Sequence, residues 1–309
     1  SPKAYRAAID IVATPRQWEK WLKRLLLFLG CALVLSGTIF FFAYNWSAMS
    51  HFTKFGLIEA LLLLSVILAV KADKDKLTGK VLLLAASVFV GVFLAVFGQT
   101  YQTGADAWQL FAGWSCLIFG WVVASRFAGL WLLWLILCNV AFVTYWHQAI
   151  DQHFESTIGT FTILLTLING FMLFLRELGL AKGRAWLKNN YHRWIVMSFI
   201  LIASTWPLLN LTEKRFQGDV MVWLAALLWL FVILAIYGYY RYKSPDLLAL
   251  TMATSSVCFA LLSHIASFFF SGRDNPFTYL IFGFIILFVV GPAAMWLKSL
   301  TKELKERQS

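Results

Sequence analysis

Eight residues have types and positions that could do chemistry in an otherwise apolar chain: Asn45, Trp46, Lys54, Glu59, Gln99, Tyr101, Asp106 and His264. Glu59, in "FGLIEALLLLS", lies about one turn inside an apolar run. A carboxyl in hydrocarbon is costly and normally faces protein or a water-filled cavity, so one reading is a proton or cation site. The plainer reading is a shallow Glu reaching for the interface or for Lys54. His264, in "LLSHIASFFF", either relays protons or binds a ligand, or is a hydrogen-bonded packing residue, which again is the plainer reading. The stretch "FGQTYQTGAD", Phe97 to Asp106, interrupts two of the most apolar segments in the chain. Its glycines, Gly98 and Gly104, supply backbone freedom for a turn, and Thr103 or Asp106 is placed to cap the run that follows. A turn does not need two amides around a tyrosine. That surplus polarity marks a lid or lining element of a polar cavity near Asn45, Trp46 and Glu59.

Other constellations are weaker. His147, Asp151, His153 and Glu155, in "HQAIDQHFE", carry imidazole and carboxylate groups of the kind that bind divalent metals, but the spacing matches no ligand motif, so no metal is expected. The "DKD" of Asp73–Asp75 has a short acidic pattern seen in metal-dependent sugar transferases, yet Lys71, Lys74 and Lys76 flank it and it reads as a solvated loop. There is no GxSxG, HExxH, Walker A loop or GxGxxG, so no cofactor is expected and an enzyme is the less favoured class. The four cysteines, Cys31, Cys116, Cys138 and Cys258, lie inside apolar runs without CxxC spacing and read as packing residues.

The elements that must position these side chains follow from composition. Of 309 residues, 61% are hydrophobic and 13% charged, against about 25% charged in a soluble domain. Ten apolar runs approach the roughly 20 residues that cross a bilayer: Leu25–Tyr44, Phe55–Val70, Val81–Gly98, Ala107–Ser125, Gly129–Trp146, Thr157–Leu175, Trp194–Asn210, Val220–Tyr240, Leu247–Phe270 and Phe277–Leu297. Lipid offers no partner to a bare amide, so these runs must be helices or the strands of a closed barrel. Runs such as "LLLFLGCALVLSGTIFFF" lack the alternation a barrel strand needs. The expected fold is an all-α, polytopic bundle of ten transmembrane helices, with Pro292 kinking the last. Residues 1–24 form a basic interfacial segment broken near Pro15, residues 25–297 the membrane domain, and residues 298–309 a charged tail continuing the last helix. The charged N-terminal segment and long first run read as an uncleaved anchor.

Lys and Arg counts set the orientation. With the N-terminus inside, 22 of the 26 basic residues fall in cytoplasmic segments; only Lys54, Lys214, Arg215 and Arg273 fall outside. Both termini are therefore expected in the cytoplasm. The formal charge of +11 is explained by this asymmetry, and its expected partner is anionic lipid headgroups. The basic residues are spread over six juxtamembrane segments without a recognition motif, so no nucleic-acid partner is expected. Many of the 15 tryptophans, among them Trp18, Trp108 and Trp194, fall near run ends, where an indole anchors at the headgroups. Glycines recur seven apart at Gly30/Gly37, Gly91/Gly98 and Gly113/Gly120, placing each pair on one helix face where backbones can approach.

Two stretches together resemble a known family. The first is "FLGCALVLSGTIFFFAYNWSAMSHFTKFGLIEALLLLSVILA", and the second "GVFLAVFGQTYQTGADAWQLFAGWSCLIFGWVVASRFAGLWLLWLILCNVAF". Over residues 25–145 the chain resembles a bacterial family of multi-spanning membrane proteins catalogued only as a domain of unknown function. Its members carry an Asn-Trp after the first span, a Gly-Gln-x-Tyr turn, and a Trp before a small-residue span. Asn45, Trp46, Lys54, Gln99, Tyr101, Gly104, Asp106 and Trp108 match that pattern. The resemblance implies a bacterial cytoplasmic (inner) membrane location and allows a second integral membrane protein as neighbour. It implies no catalytic residues. Three functional classes stand. The first, narrowly favoured, is a transporter- or channel-like protein with a polar cavity on the periplasmic side. The second is a structural or assembly subunit of a membrane complex. The third is a membrane enzyme acting on a lipid-linked substrate.

Overall fold

The structure, a computed structural model, describes residues 15–45, 49–72, 76–150, 158–211, 219–270 and 276–306. Every long element among them is a helix, and ten of these helices are long and apolar enough to cross a membrane. The chain divides into two compact units, Ser1–Ala141 and Phe142–Ser309.

The first unit contains α1 (Pro15–Asn45), α2 (His51–Lys71), α3 (Leu77–Tyr101), α4 (Ala107–Ser125) and most of α5 (Ala128–Tyr145), which ends in one π turn, Trp146–Ile150. The second contains α6 (Ile158–Ala181), a 3-10 turn (Ala185–Leu187), α7 (Tyr191–Asn210), α8 (Val220–Gly238) with a π turn at Tyr239–Lys243, α9 (Leu247–Phe269) and α10 (Pro276–Glu306). Several helices outrun their apolar segments. Residues 15–24 are continuous with the first span, and α10 takes in most of the charged tail. Hydropathy marks only the part inside hydrocarbon, whereas the backbone ladder continues as long as each amide finds its carbonyl. The N-terminal residues 1–14 lie outside the described residues.

In the first unit α3 packs on α1, α2 and α4. Its middle is made by a tryptophan: the Trp114 indole N–H on α4 donates to the Ser87 carbonyl on α3 at 2.7 Å. Its ring covers Gly91, at the place where any Cβ would stand. Ser87 and Gly91 are one turn apart, so the missing side chain at Gly91 is what lets the ring reach the carbonyl. One helix further on, the Trp134 indole donates to the Ser115 carbonyl at 3.1 Å. Ile118, Val122, Leu130 and Leu137 close the core between α4 and α5.

In the second unit α7 packs on α6, α8 and α9. Gly159 on α6 meets the backbone of Met221 and Val222, so α6 and α8 cross with no side chain between them. Ser256 on α9 bonds Thr205 on α7 at 2.8 Å and accepts the Trp229 indole N–H from α8 at 3.1 Å. Such bonds join helices where apolar contact with lipid competes equally with contact between helices. Asn139 and Asn169 each donate to a carbonyl one turn back on their own helix.

The glycine pairs do not behave alike. Gly91 is packed, and Gly98 meets only Thr103 of its own turn, at 3.8 Å. Gly30, Gly37, Gly113 and Gly120 face open space.

Candidate functional site: the groove beside the α3–α4 turn

The turn between α3 and α4 reverses in five residues, Gln102 to Asp106. Gln102 adopts a left-handed conformation (φ 45°), and its N–H returns to the Gly98 carbonyl. Gly104 is also left-handed (φ 64°). The backbone freedom therefore lies at Gly104 and, at some cost, at Gln102, while Gly98 stays helical. Asp106 takes the N-cap position of α4, but its carboxylate makes no cap bond.

Beside this turn is a groove of about 620 Å3. Gln99, Gln102, Thr103, Asp106 and Gln109 line its upper part. None of these five side chains makes a hydrogen bond among the described residues. Apolar residues from α3 and α4, including Leu94, Leu110 and Gly113, form its foot. A second groove, of about 520 Å3 between α7 and α9, differs in kind. Of its five hydroxyls, those of Ser198, Thr205 and Thr251 are bonded to carbonyls of their own helices and that of Ser256 to Thr205 and Trp229, which leaves Ser255.

The residues singled out by sequence are distributed as follows. Gln99 and Asp106 share the α3–α4 groove. Tyr101 turns aside, stacking on Phe55 at 5.9 Å and against Phe97 at 4.8 Å. This explains the tyrosine between the two amides: it ties the end of α3 to the start of α2. Glu59 is exposed on α2 and Lys54 is buried; neither lines the groove. The side chain of Asn45, and Trp46 altogether, lie outside the described residues. His264, in the other unit, is half-buried and its Nδ1 bonds the Ala260 carbonyl at 2.9 Å, the geometry of a packing histidine. His147 is exposed on the π turn after α5, while Asp151, His153 and Glu155 lie outside the described residues. Among the described residues no three His, Cys, Asp or Glu side chains are grouped to hold a metal.

Sequence reading missed a second polar centre, in the second unit. Glu177, at the end of α6, accepts from Arg176, from Arg193 at 3.0 and 3.2 Å, and from the hydroxyls of Tyr240 at 3.2 Å and Tyr239 at 3.4 Å. Arg193 also donates to Asp246 at 2.7 Å. Asp246 accepts the Trp194 indole N–H at 3.1 Å and caps α9 through the Ala249 N–H at 3.1 Å. Arg176 donates to the carbonyls of Leu187 and Asn189. Two cations thus face two carboxylates, and their bonds tie the adjoining ends of α6, α7, α8 and α9. His192 is buried next to this cluster with neither ring nitrogen hydrogen-bonded. In the sequence the arginines register only as topological charges. The one signal of something more was Pro245-Asp246 just ahead of an apolar run, a helix-start signature. Apart from the buried Arg176 Nε, which has no hydrogen bond, the charges of the cluster are spent on one another and on neighbouring carbonyls, which makes it a clamp.

Ten apolar helices, an apolar outer surface and polar groups gathered at helix ends define a polytopic α-helical membrane protein. Residues 1–131 match the model of a family described as "Predicted membrane protein (DUF2157)", the kind of family the Asn-Trp and Gly-Gln-x-Tyr stretches resemble. That match takes in α1 to α4 and the whole groove. No curated protein and no solved structure matches the chain.

Proposed function

We propose that the protein is a membrane-embedded, transporter-like binding protein whose first unit receives a small ligand in the groove beside the α3–α4 turn. One observation carries this reading: five exposed polar side chains without internal bonds line one groove of about 620 Å3, a volume in the range of small-molecule sites. Elsewhere, polar side chains such as Trp114, Ser256 and Arg193 spend their hydrogen bonds on holding helices together. The loop charges favour the outer, periplasmic face for this groove and the cytoplasm for both termini. The resemblance favours the bacterial cytoplasmic membrane.

The test is complementation. Asp106→Asn and Gln99→Leu are introduced separately into a strain lacking the gene, with membrane levels matched by immunoblot. Loss of complementation by both supports the reading. Full complementation by both removes the groove from the function.

A second reading, an assembly subunit for another integral membrane protein, is favoured by Gly113 and Gly120, which present an open small-residue face on α4. Cysteine placed at Gly120 and cross-linked in native membranes distinguishes the two. A defined second protein on the gel supports assembly, and none opposes it.

A further inference from the structure

We infer that the groove takes an amphiphile with an uncharged, hydroxyl-rich head, a glycosylated lipid, with the head at the turn and the tail along the foot between α3 and α4. The inference rests on the reading of the groove as a ligand site and names its ligand class.

The lining excludes the charged heads. Among the described residues no Lys, Arg or His lines the groove, so none of them neutralises a phosphate or carboxylate there. The lone anion, Asp106, stands at the N-terminus of α4, where the helix dipole partly offsets its charge. That weakens it as a counter-ion for an ammonium head. The rest of the polar set is mixed in sense. Each of Gln99, Gln102 and Gln109 offers an amide that donates and a carbonyl that accepts, and Thr103 offers a hydroxyl that does both. An ammonium would use only the acceptors and a phosphate only the donors. A sugar hydroxyl donates once and accepts twice, so a cluster of them engages the whole set. Phe97 also lines the groove and is 43% exposed, giving an apolar face for the C–H side of a sugar ring.

The foot sets the other half of the ligand. Gly113 lies seven residues beyond Asp106, about 10 Å along α4 at 1.5 Å per residue. The groove therefore runs from the interface into the hydrocarbon layer. There its walls are Leu94, Ala95, Leu110 and the bare backbone of Gly113, against which nothing packs within 4 Å. A free sugar would leave that part empty, whereas an acyl chain fills it.

The experiment places the full chain in nanodiscs of phosphatidylethanolamine and phosphatidylglycerol containing monoglucosyl diacylglycerol as a minor component. Lipid retained after purification is measured by mass spectrometry. Three chains are compared: wild type, the head variant Gln99→Leu/Gln109→Leu, and the foot variant Gly113→Leu. The replaced side chains make no internal bonds, and thermal unfolding of each variant checks that its fold is unchanged. Wild type should enrich the glucolipid over both phospholipids. The head variant should lose roughly tenfold of that enrichment, and the foot variant should lower retention of the glucolipid as a whole. Free glucose should not displace it; displacement would show that the site takes a free sugar and would overturn the tail assignment. If no glucolipid is enriched but Gly113→Leu still lowers phospholipid retention, the head class is wrong and the groove remains a ligand site. If no variant changes the retention of any lipid, both readings fall.

Discussion

Replacing Asp246 by Ala tests the clamp in the second unit. The carboxylate has three roles. It pairs with Arg193 at 2.7 Å with both side chains almost fully buried, accepts the Trp194 indole at 3.1 Å, and caps α9 through the Ala249 N–H at 3.1 Å. Breaking a buried pair from one side costs about 3–5 kcal/mol, because a charge is left uncompensated. Arg193 keeps two bonds to Glu177, so the low end of that range applies. Loss of the cap adds about 1 kcal/mol. Asp246→Ala should therefore destabilise by about 4 kcal/mol. Asp246→Asn retains an acceptor for the cap and the indole and should cost about half as much. Arg193→Met combined with Asp246→Leu removes both charges and leaves Arg176 to balance Glu177, so its stability should fall between that of Asp246→Ala and wild type, short of wild type by the cap, the Trp194 bond and the two Arg193–Glu177 bonds. The assay is reversible unfolding in mixed micelles of mild detergent and dodecyl sulfate, followed by tryptophan fluorescence. An Asp246→Ala variant within about 1 kcal/mol of wild type would refute the reasoning. So would a double variant no more stable than the single.

Other outcomes are expected on the same grounds. Gly91→Val must displace the Trp114 ring and should cost about 1–3 kcal/mol in the same assay, whereas Gly120→Val, in open space, should stay within about 0.5 kcal/mol. His192→Phe removes two buried nitrogens that have no hydrogen bond and should be neutral or stabilise by about 1 kcal/mol; a clear loss would reveal a partner or a role for the imidazole. A phosphatase fusion after Gly183, which needs export for activity, should be silent. Activity there would reverse the orientation drawn from the loop charges.

Particular residues show how far the sequence could be read. The ten spans were legible because a bilayer imposes one length on every run and one backbone solution on all of them. The boundaries of α4 could be read to the residue, since Asp106 and Arg126 end it on both sides. The polarity of the α3–α4 turn was legible because its residues are contiguous. Gln109 was missed because it belongs to the groove only through the helical return of α4. Glu59 is exposed on α2, and the plainer of its two readings, a shallow carboxyl at the interface, needs no cavity.

Periodicity places residues on a common face without saying what that face meets. Gly91/Gly98, Gly30/Gly37 and Gly113/Gly120 share one spacing, and of the six only Gly91 lies against a neighbouring helix, because Trp114 happens to stand opposite it. The clamp shows the same limit on a larger scale. Composition and run length determined that this is an all-helical protein with ten helices long and apolar enough to span a membrane. That Arg193 of one helix end would neutralise Asp246, more than fifty residues away, while also holding Glu177, was decided only in the tertiary structure. Burial makes a charge find its partner, and helix packing alone determines which charges are within reach.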